Sequence, residues 1–219
     1  MMKINDFSGE KSILSTYIAR LRDIDVQKDR MRFRYNLGRI GEILGYELSK
    51  TLEYEYKTVK TPLGTKECAT QKDEVVICSI LRAGLPLHNG LLECFDDAEN
   101  TFISAYRRHK EGSHDFDIVV EYLASPSIEG KVLVIADPML ATGSSIMSVF
   151  EALKKRGTPK KVHVVSVIGS QLGVRNIADF FRDYDSQMWI ATVDPDLNAD
   201  KYIVPGLGDA GDLAFGEKL

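Results

Sequence analysis

Cysteine is scarce in this chain. Cys68, Cys78 and Cys94 are the only three in 219 residues, an odd number at wide spacings. That speaks against a disulfide framework and fits a reducing cytoplasm. The histidines, His88, His109, His114 and His163, share no zinc-ligand spacing with these cysteines, so a structural metal is not expected. No run of lysine or arginine forms a basic stripe, and the formal net charge is −4. Nucleic acid is therefore a disfavoured partner. No apolar run approaches the roughly 20 residues of a membrane-spanning helix, and no membrane partner is expected. The opening Met-Met-Lys-Ile-Asn-Asp-Phe is too short and too polar for a signal peptide. Internal repeats and low-complexity linkers are missing too. So are Gly-Lys-Ser/Thr and Gly-x-Gly-x-x-Gly, which removes the two commonest nucleotide-binding loops.

What is present is enough apolar material for one sizeable core, 44% of the residues. One domain over residues 1–219 is expected, with a helical and arm region to about residue 70 and a core from about 75. Residues 11–22 read as an amphipathic helix with Ile13, Leu14, Tyr17, Ile18 and Leu21 on one face. A longer helical pattern runs over residues 26–52, with Phe33, Leu37, Ile40, Leu44 and Leu48 as its stripe. Its charged outer face, from Lys28 to Arg34, reads as solvated. Thr-Pro-Leu-Gly at 61–64 reads as a turn in a hairpin arm.

From residue 75 strands and helices alternate. Strands are expected near 75–80, 101–105, 118–123, 131–136, 161–168 and 187–193, and helices near 86–95, 145–156 and 171–182. That alternation predicts an α/β domain with a mainly parallel sheet, in which ligands bind beyond the carboxyl ends of the strands. Cys78 falls in an apolar strand run and reads as core; core or surface roles are also the expectation for His88 and His163.

Four segments carry chemistry. Residues 132–145, Val-Leu-Val-Ile-Ala-Asp-Pro-Met-Leu-Ala-Thr-Gly-Ser-Ser, read as a buried strand, an acid at Asp137, a loop of small and hydroxyl residues, and a helix start. Loop amides and a helix N-terminus suit an anion, and Asp137 beside them suits sugar hydroxyls or Mg²⁺. Hydroxyl capping of an ordinary turn is the competing reading. Arg82 follows another apolar strand and needs an anionic partner, either a diphosphate or a structural carboxylate. The polar stretch 106–117, with Arg107, Arg108 and Lys110, reads as a lid or as a solvated loop. Residues 205–212, Pro-Gly-Leu-Gly-Asp-Ala-Gly-Asp, read as too rich in glycine for a regular element, and would let backbone approach a ligand.

Together these segments resemble the uracil phosphoribosyltransferase family, among the type I phosphoribosyltransferases. Asp-Pro-Met-Leu-Ala-Thr-Gly at 137–143, Ile-Leu-Arg-Ala-Gly-Leu at 80–85, Ala-Tyr-Arg at 105–107 and Tyr-Ile-Val-Pro-Gly-Leu-Gly-Asp-Ala-Gly-Asp at 202–212 match its motifs in order. The resemblance implies the type I phosphoribosyltransferase fold, with N-terminal helices and a C-terminal hood over the base. It implies conversion of uracil and 5-phospho-α-D-ribose 1-diphosphate (PRPP) to UMP and diphosphate, with Mg²⁺. Arg82, Arg107, Asp137 and Asp209 would be its catalytic contacts. PRPP would lie against Arg82, Arg107 and the loop of Asp137, Pro138, Met139, Leu140, Ala141, Thr142, Gly143, Ser144 and Ser145. Uracil would meet Ile203, Gly208, Asp209 and Ala210; Asp209 would also reach PRPP through Mg²⁺, and Tyr202 would pack near the ribose. Ser144 departs from the commoner glycine. A homodimer or higher homo-oligomer and, as in some members, a GTP effector are further implications. Transfer to another base, and a non-catalytic sensor of PRPP or a nucleotide, stay open as alternatives.

Overall fold

The computed structural model describes residues 1–109 and 116–218, and the side chains of 105–109 and 116–121 lie outside the described set. A short strand β1 (Lys3–Asp6) is followed by two helices, α1 (Ile13–Arg22) and α2 (Arg30–Ser49), and by a two-stranded arm, β2 (Tyr54–Thr61) and β3 (Gly64–Gln71). Next come β4 (Val75–Leu81), α3 (Leu85–Leu92), β5 (Glu99–His109), β6 (Phe116–Ala124) and β7 (Val132–Ala136). The remainder is β8 (Met139–Leu140), α4 (Ser144–Leu153), β9 (Lys161–Ser170), α5 (Gln171–Phe180), β10 (Ser186–Asp194), β11 (Asp196–Leu197), β12 (Ile203–Val204) and α6 (Ala210–Phe215).

The central sheet runs β1-β10-β9-β7-β4-β5-β6, with β8 beside β9. Every pair in it is parallel except β5–β6. Parallel strands need covered faces. Accordingly β7 is buried throughout, and β4 is buried from Val75 to Ile80 and half-buried at Leu81. One face packs on α1, α2 and α3 through Leu21, Phe33, Leu37, Ile40 and Leu87. The other packs on α4 and α5 through Ile146, Val149, Phe150 and Ile177.

Local chemistry sets the helix ends. Ser12 Oγ accepts the Leu14 N–H at 3.2 Å and Asp29 Oδ1 accepts the Arg32 N–H at 3.0 Å. Such caps satisfy amides that have no partner inside a helix. The Asp29 cap is why α2 starts at Arg30 and not at 26. All five residues of the expected α2 stripe are buried. On α1 Leu14, Ile18 and Leu21 are buried, but Ile13 is 55% exposed, because it sits in the first turn. The hairpin arm turns at 61–64 as expected. Cys78, His88 and His163 are buried.

Candidate active site

The strand order places the site. After β4 the chain moves to β5 on one side; β7 later inserts on the other side of β4. The loops leaving β4 and β7 therefore diverge from neighbouring strands, the position where parallel sheets open a crevice. Ser79 pairs with Ala136, so the loops that begin at Arg82 and Asp137 are adjacent.

The β7 loop is tied down by backbone. The Asp137 N–H donates to the Val165 carbonyl at 3.1 Å, and the Pro138 carbonyl accepts from Val167 and Ile168 at 3.2 and 2.9 Å. Asp137 Oδ1 accepts the Met139 N–H at 3.2 Å. Thr142 Oγ1 and Ser144 Oγ lie 2.9 Å apart, so the serine at this position hydrogen-bonds within the loop. Gly143 has φ 85°, and a Cβ there would come within 2.9 Å of Ile177. A glycine is required here on both counts.

Two supports were not legible from the motifs. Ser170 Oγ donates to the Ala141 carbonyl at 2.5 Å and accepts the Gly173 N–H at 2.9 Å. Asn176 Nδ2 donates to the Thr142 carbonyl at 2.9 Å. The α5 start thus braces the loop from below. The signal for Ser170 was its place as a hydroxyl between a strand and a helix, which reads only as a cap.

The C-terminal segment completes the arrangement, and here one expectation is corrected. Residues 205–212 are not wholly irregular: α6 starts at Ala210. Asp209 Oδ1 caps it by accepting the Asp212 N–H at 3.0 Å, which offsets the cost of Gly211 in the first turn. The Ala210 N–H points to Met139 Sδ at 3.3 Å, joining this segment to the β7 loop. Arg82 Nη2 joins it to the β4 loop, donating to Asp212 Oδ1 at 3.1 Å and to the Gly216 carbonyl at 3.0 Å. Both partners of the ion pair are partly exposed. Ile203 lies on β12, paired with β11, and is buried; Gly208 has φ 92°. Tyr202 is 42% exposed. A cavity of about 600 Å³ opens beside this segment, bordered by Gln27, Arg30, Gly208, Asp209, Asp212 and Lys218.

The expected lid is also corrected in part. Tyr106–His109 continue β5 and Phe116–Asp117 begin β6, with Arg107 opposite Ile118. Backbone pairing with an antiparallel neighbour extends both strands beyond their apolar centres. The side chains of Arg107 and Arg108, and all of Lys110, lie outside the described residues.

The acids expected to face the ligand, Asp137 and Asp209, offer carboxylate oxygens, the donor type Mg²⁺ prefers. Among the described residues no group of three or more His, Cys, Asp or Glu side chains could cage a metal. Such a donor set fits an ion that keeps several waters and takes only one or two carboxylates.

Comparison with known proteins decides the family. A model of the uracil phosphoribosyltransferase family matches residues 8–217. The chain belongs to the uracil phosphoribosyltransferase family. A curated uracil phosphoribosyltransferase of Porphyromonas gingivalis is 50% identical over 218 residues, the full length of both chains. Those of Methanococcus vannielii and Pyrococcus furiosus are 41% and 40% identical, over 88% and 92% of this chain and 82% and 85% of theirs. Among solved structures, the AQ2163 protein of Aquifex aeolicus superposes with a TM-score of 0.85 at 29% identity, covering 97% of this chain and 98% of that one. Family membership and the parallel sheet agree with the fold expected from the motifs.

Proposed function

We propose that this member of the family transfers the phosphoribosyl group of PRPP to uracil, giving UMP and diphosphate in pyrimidine salvage. The observation that carries the reading is convergence. The β4 loop, the β7 loop and the glycine-rich C-terminal segment meet through the Arg82–Asp212 pair and the Ala210–Met139 contact.

In this reading the C1–oxygen bond to diphosphate breaks as N1 of uracil bonds to ribose C1, with inversion. Charge grows on the leaving diphosphate, so positioning and electrostatics carry most of the catalysis. Arg82 exchanges Asp212 and the Gly216 carbonyl for diphosphate oxygens. Arg107 is the second cation. Residues 141–145 receive the 5′-phosphate on loop and first-turn amides. Asp137 fixes the ribose hydroxyls. Ile203, Gly208, Asp209 and Ala210 face uracil, mainly by backbone, and spread the charge left as N1 loses its proton. Asp209 would help hold Mg²⁺ together with PRPP, and the ion would supply charge to offset that of the diphosphate.

A homo-oligomer is part of the proposal, and the exposed Tyr56 and Leu63 of the β2–β3 arm support it. Three free cysteines support a cytoplasmic setting. The test is UMP and diphosphate formation from uracil and PRPP with Mg²⁺, with and without chelator, and with GTP added in a separate arm. Mg²⁺-dependent UMP is expected. No product at any Mg²⁺ concentration would overturn the reading.

A further inference from the structure

Behind the base-facing segment stands an ion pair that no motif announces. Arg22 ends α1 and Asp194 ends β10. The guanidinium grips the carboxylate with both prongs, Nη2 to Oδ1 at 2.6 Å and Nη1 to Oδ2 at 2.7 Å. Asp194 is 5% exposed. Bidentate geometry of this kind is specific to arginine.

The pair does not serve itself alone. Arg22 Nη1 also donates to the Gly206 carbonyl at 2.9 Å, and the Gly206 N–H donates to Asp194 Oδ2 at 2.8 Å. Both polar groups of one peptide residue are thereby held by one ion pair. Gly206 has φ 64°, and a Cβ there would meet the Ile203 carbonyl at 2.0 Å. Gln27 Nε2 then takes the next carbonyl, that of Leu207, at 3.2 Å.

What the clamp leaves open is informative. Among the described residues, the N–H groups of Leu207, Gly208 and Asp209 and the Gly208 carbonyl make no hydrogen bond. The turn thus offers donors with one carbonyl among them. The edge of uracil runs acceptor, donor, acceptor through C2=O, N3–H and C4=O. Cytosine replaces the last two with an acceptor and a donor, which would face like groups. A site built on paired polar groups discriminates strongly, because a mismatched base leaves them unsatisfied.

We propose that Arg22 and Asp194 are positioning residues for base selection: from outside the site they hold the 205–208 turn so that its open backbone groups face uracil. This rests on the uracil reading above. Neither residue borders the cavity beside this segment, and the turn they hold carries the base contacts, so the effect falls mainly on uracil.

The test uses Arg22→Gln, Asp194→Asn and the gentler Arg22→Lys in the 219-residue chain. KM and kcat are measured for uracil and PRPP separately, with the uracil-to-cytosine ratio of kcat/KM, and amide exchange over 203–210. Arg22→Gln should raise KM for uracil about tenfold or more, the scale of one lost charged hydrogen bond, with KM for PRPP within about twofold. It should also lower the selectivity against cytosine and speed exchange in 203–210. Arg22→Lys keeps charge without the two-pronged grip and should lie between. A folded Arg22→Lys or Arg22→Gln protein with unchanged KM for uracil, or with both KM values raised alike, would overturn the proposal. Wild-type protein that transfers to no base overturns the uracil reading and with it the role in selection. Local exchange confined to 203–210 in Arg22→Gln would then still identify the pair as the turn's support.

Discussion

Replacing Arg82 by alanine separates catalysis from stability. Its guanidinium bonds Asp212 Oδ1 at 3.1 Å and the Gly216 carbonyl at 3.0 Å. The pair is 42% and 32% exposed, so solvent screens it, and its loss should cost no more than about 1 kcal/mol of stability. For a chain of this size that is a Tm shift of roughly 2–4 °C or less. The same side chain is the one we propose to meet the diphosphate as charge develops there. Loss of one such contact costs about 2–4 kcal/mol in kcat/KM, or roughly 30- to 900-fold. Asp212→Asn is the companion. It loosens the ion pair without removing the cation, and turnover should stay within about threefold of wild type. Initial rates of UMP formation and a thermal melt of each variant read both quantities. Arg82→Ala protein with near-normal turnover would refute the role. A Tm loss above about 5 °C would instead show that the arginine's main work is structural.

Two further outcomes follow from buried groups. Burial, and secondarily the charge of Lys161, depresses His163 to about 3, with Asp73 opposing weakly. Its Nδ1 accepts the Trp189 N–H at 3.1 Å. A histidine kept neutral in the fold contributes stability that is full above its unfolded value near 6.5 and falls as pH drops toward 3. The slope should approach about 1.4 kcal/mol per pH unit in that window. Denaturant titrations at several pH values should show it, with the single tryptophan as reporter, and His163→Gln should flatten it. Ser170→Ala removes the buried hydroxyl that holds the Ala141 carbonyl and caps α5. The cost should be about 1–3 kcal/mol in stability together with a higher KM for PRPP; a rise in KM for uracil alone would contradict the bracing role.

Elements with a dense local pattern were legible: the α2 stripe, the wholly apolar β7, and the β4 run. β1 was not, because Lys-Ile-Asn-Asp at 3–6 is polar and pairs only with β10, at the far end of the chain. α6 was masked by Gly211, and its existence depends on a cap at Asp209 that competes with the reading of that residue as a ligand contact. The polar ends of β5 and β6 read as loop because their strand character comes from pairing with each other. Of the two kinds of partner expected for Arg82, the structure shows the carboxylate, Asp212, which lies in the glycine-rich C-terminal segment. Arg22 and Asp194 are 172 residues apart, and no local pattern links a helix end to a strand end at that distance.

Base selectivity tests the central claim most directly. Purified protein with PRPP and Mg²⁺ is offered uracil, cytosine, hypoxanthine and orotate in parallel, and kcat/KM is measured for each. The account predicts turnover of uracil with the other three at least about a hundredfold lower, the discrimination expected of a site that pairs buried polar groups with its base. Comparable transfer to hypoxanthine or orotate, or PRPP binding with no transfer to any base, would contradict it.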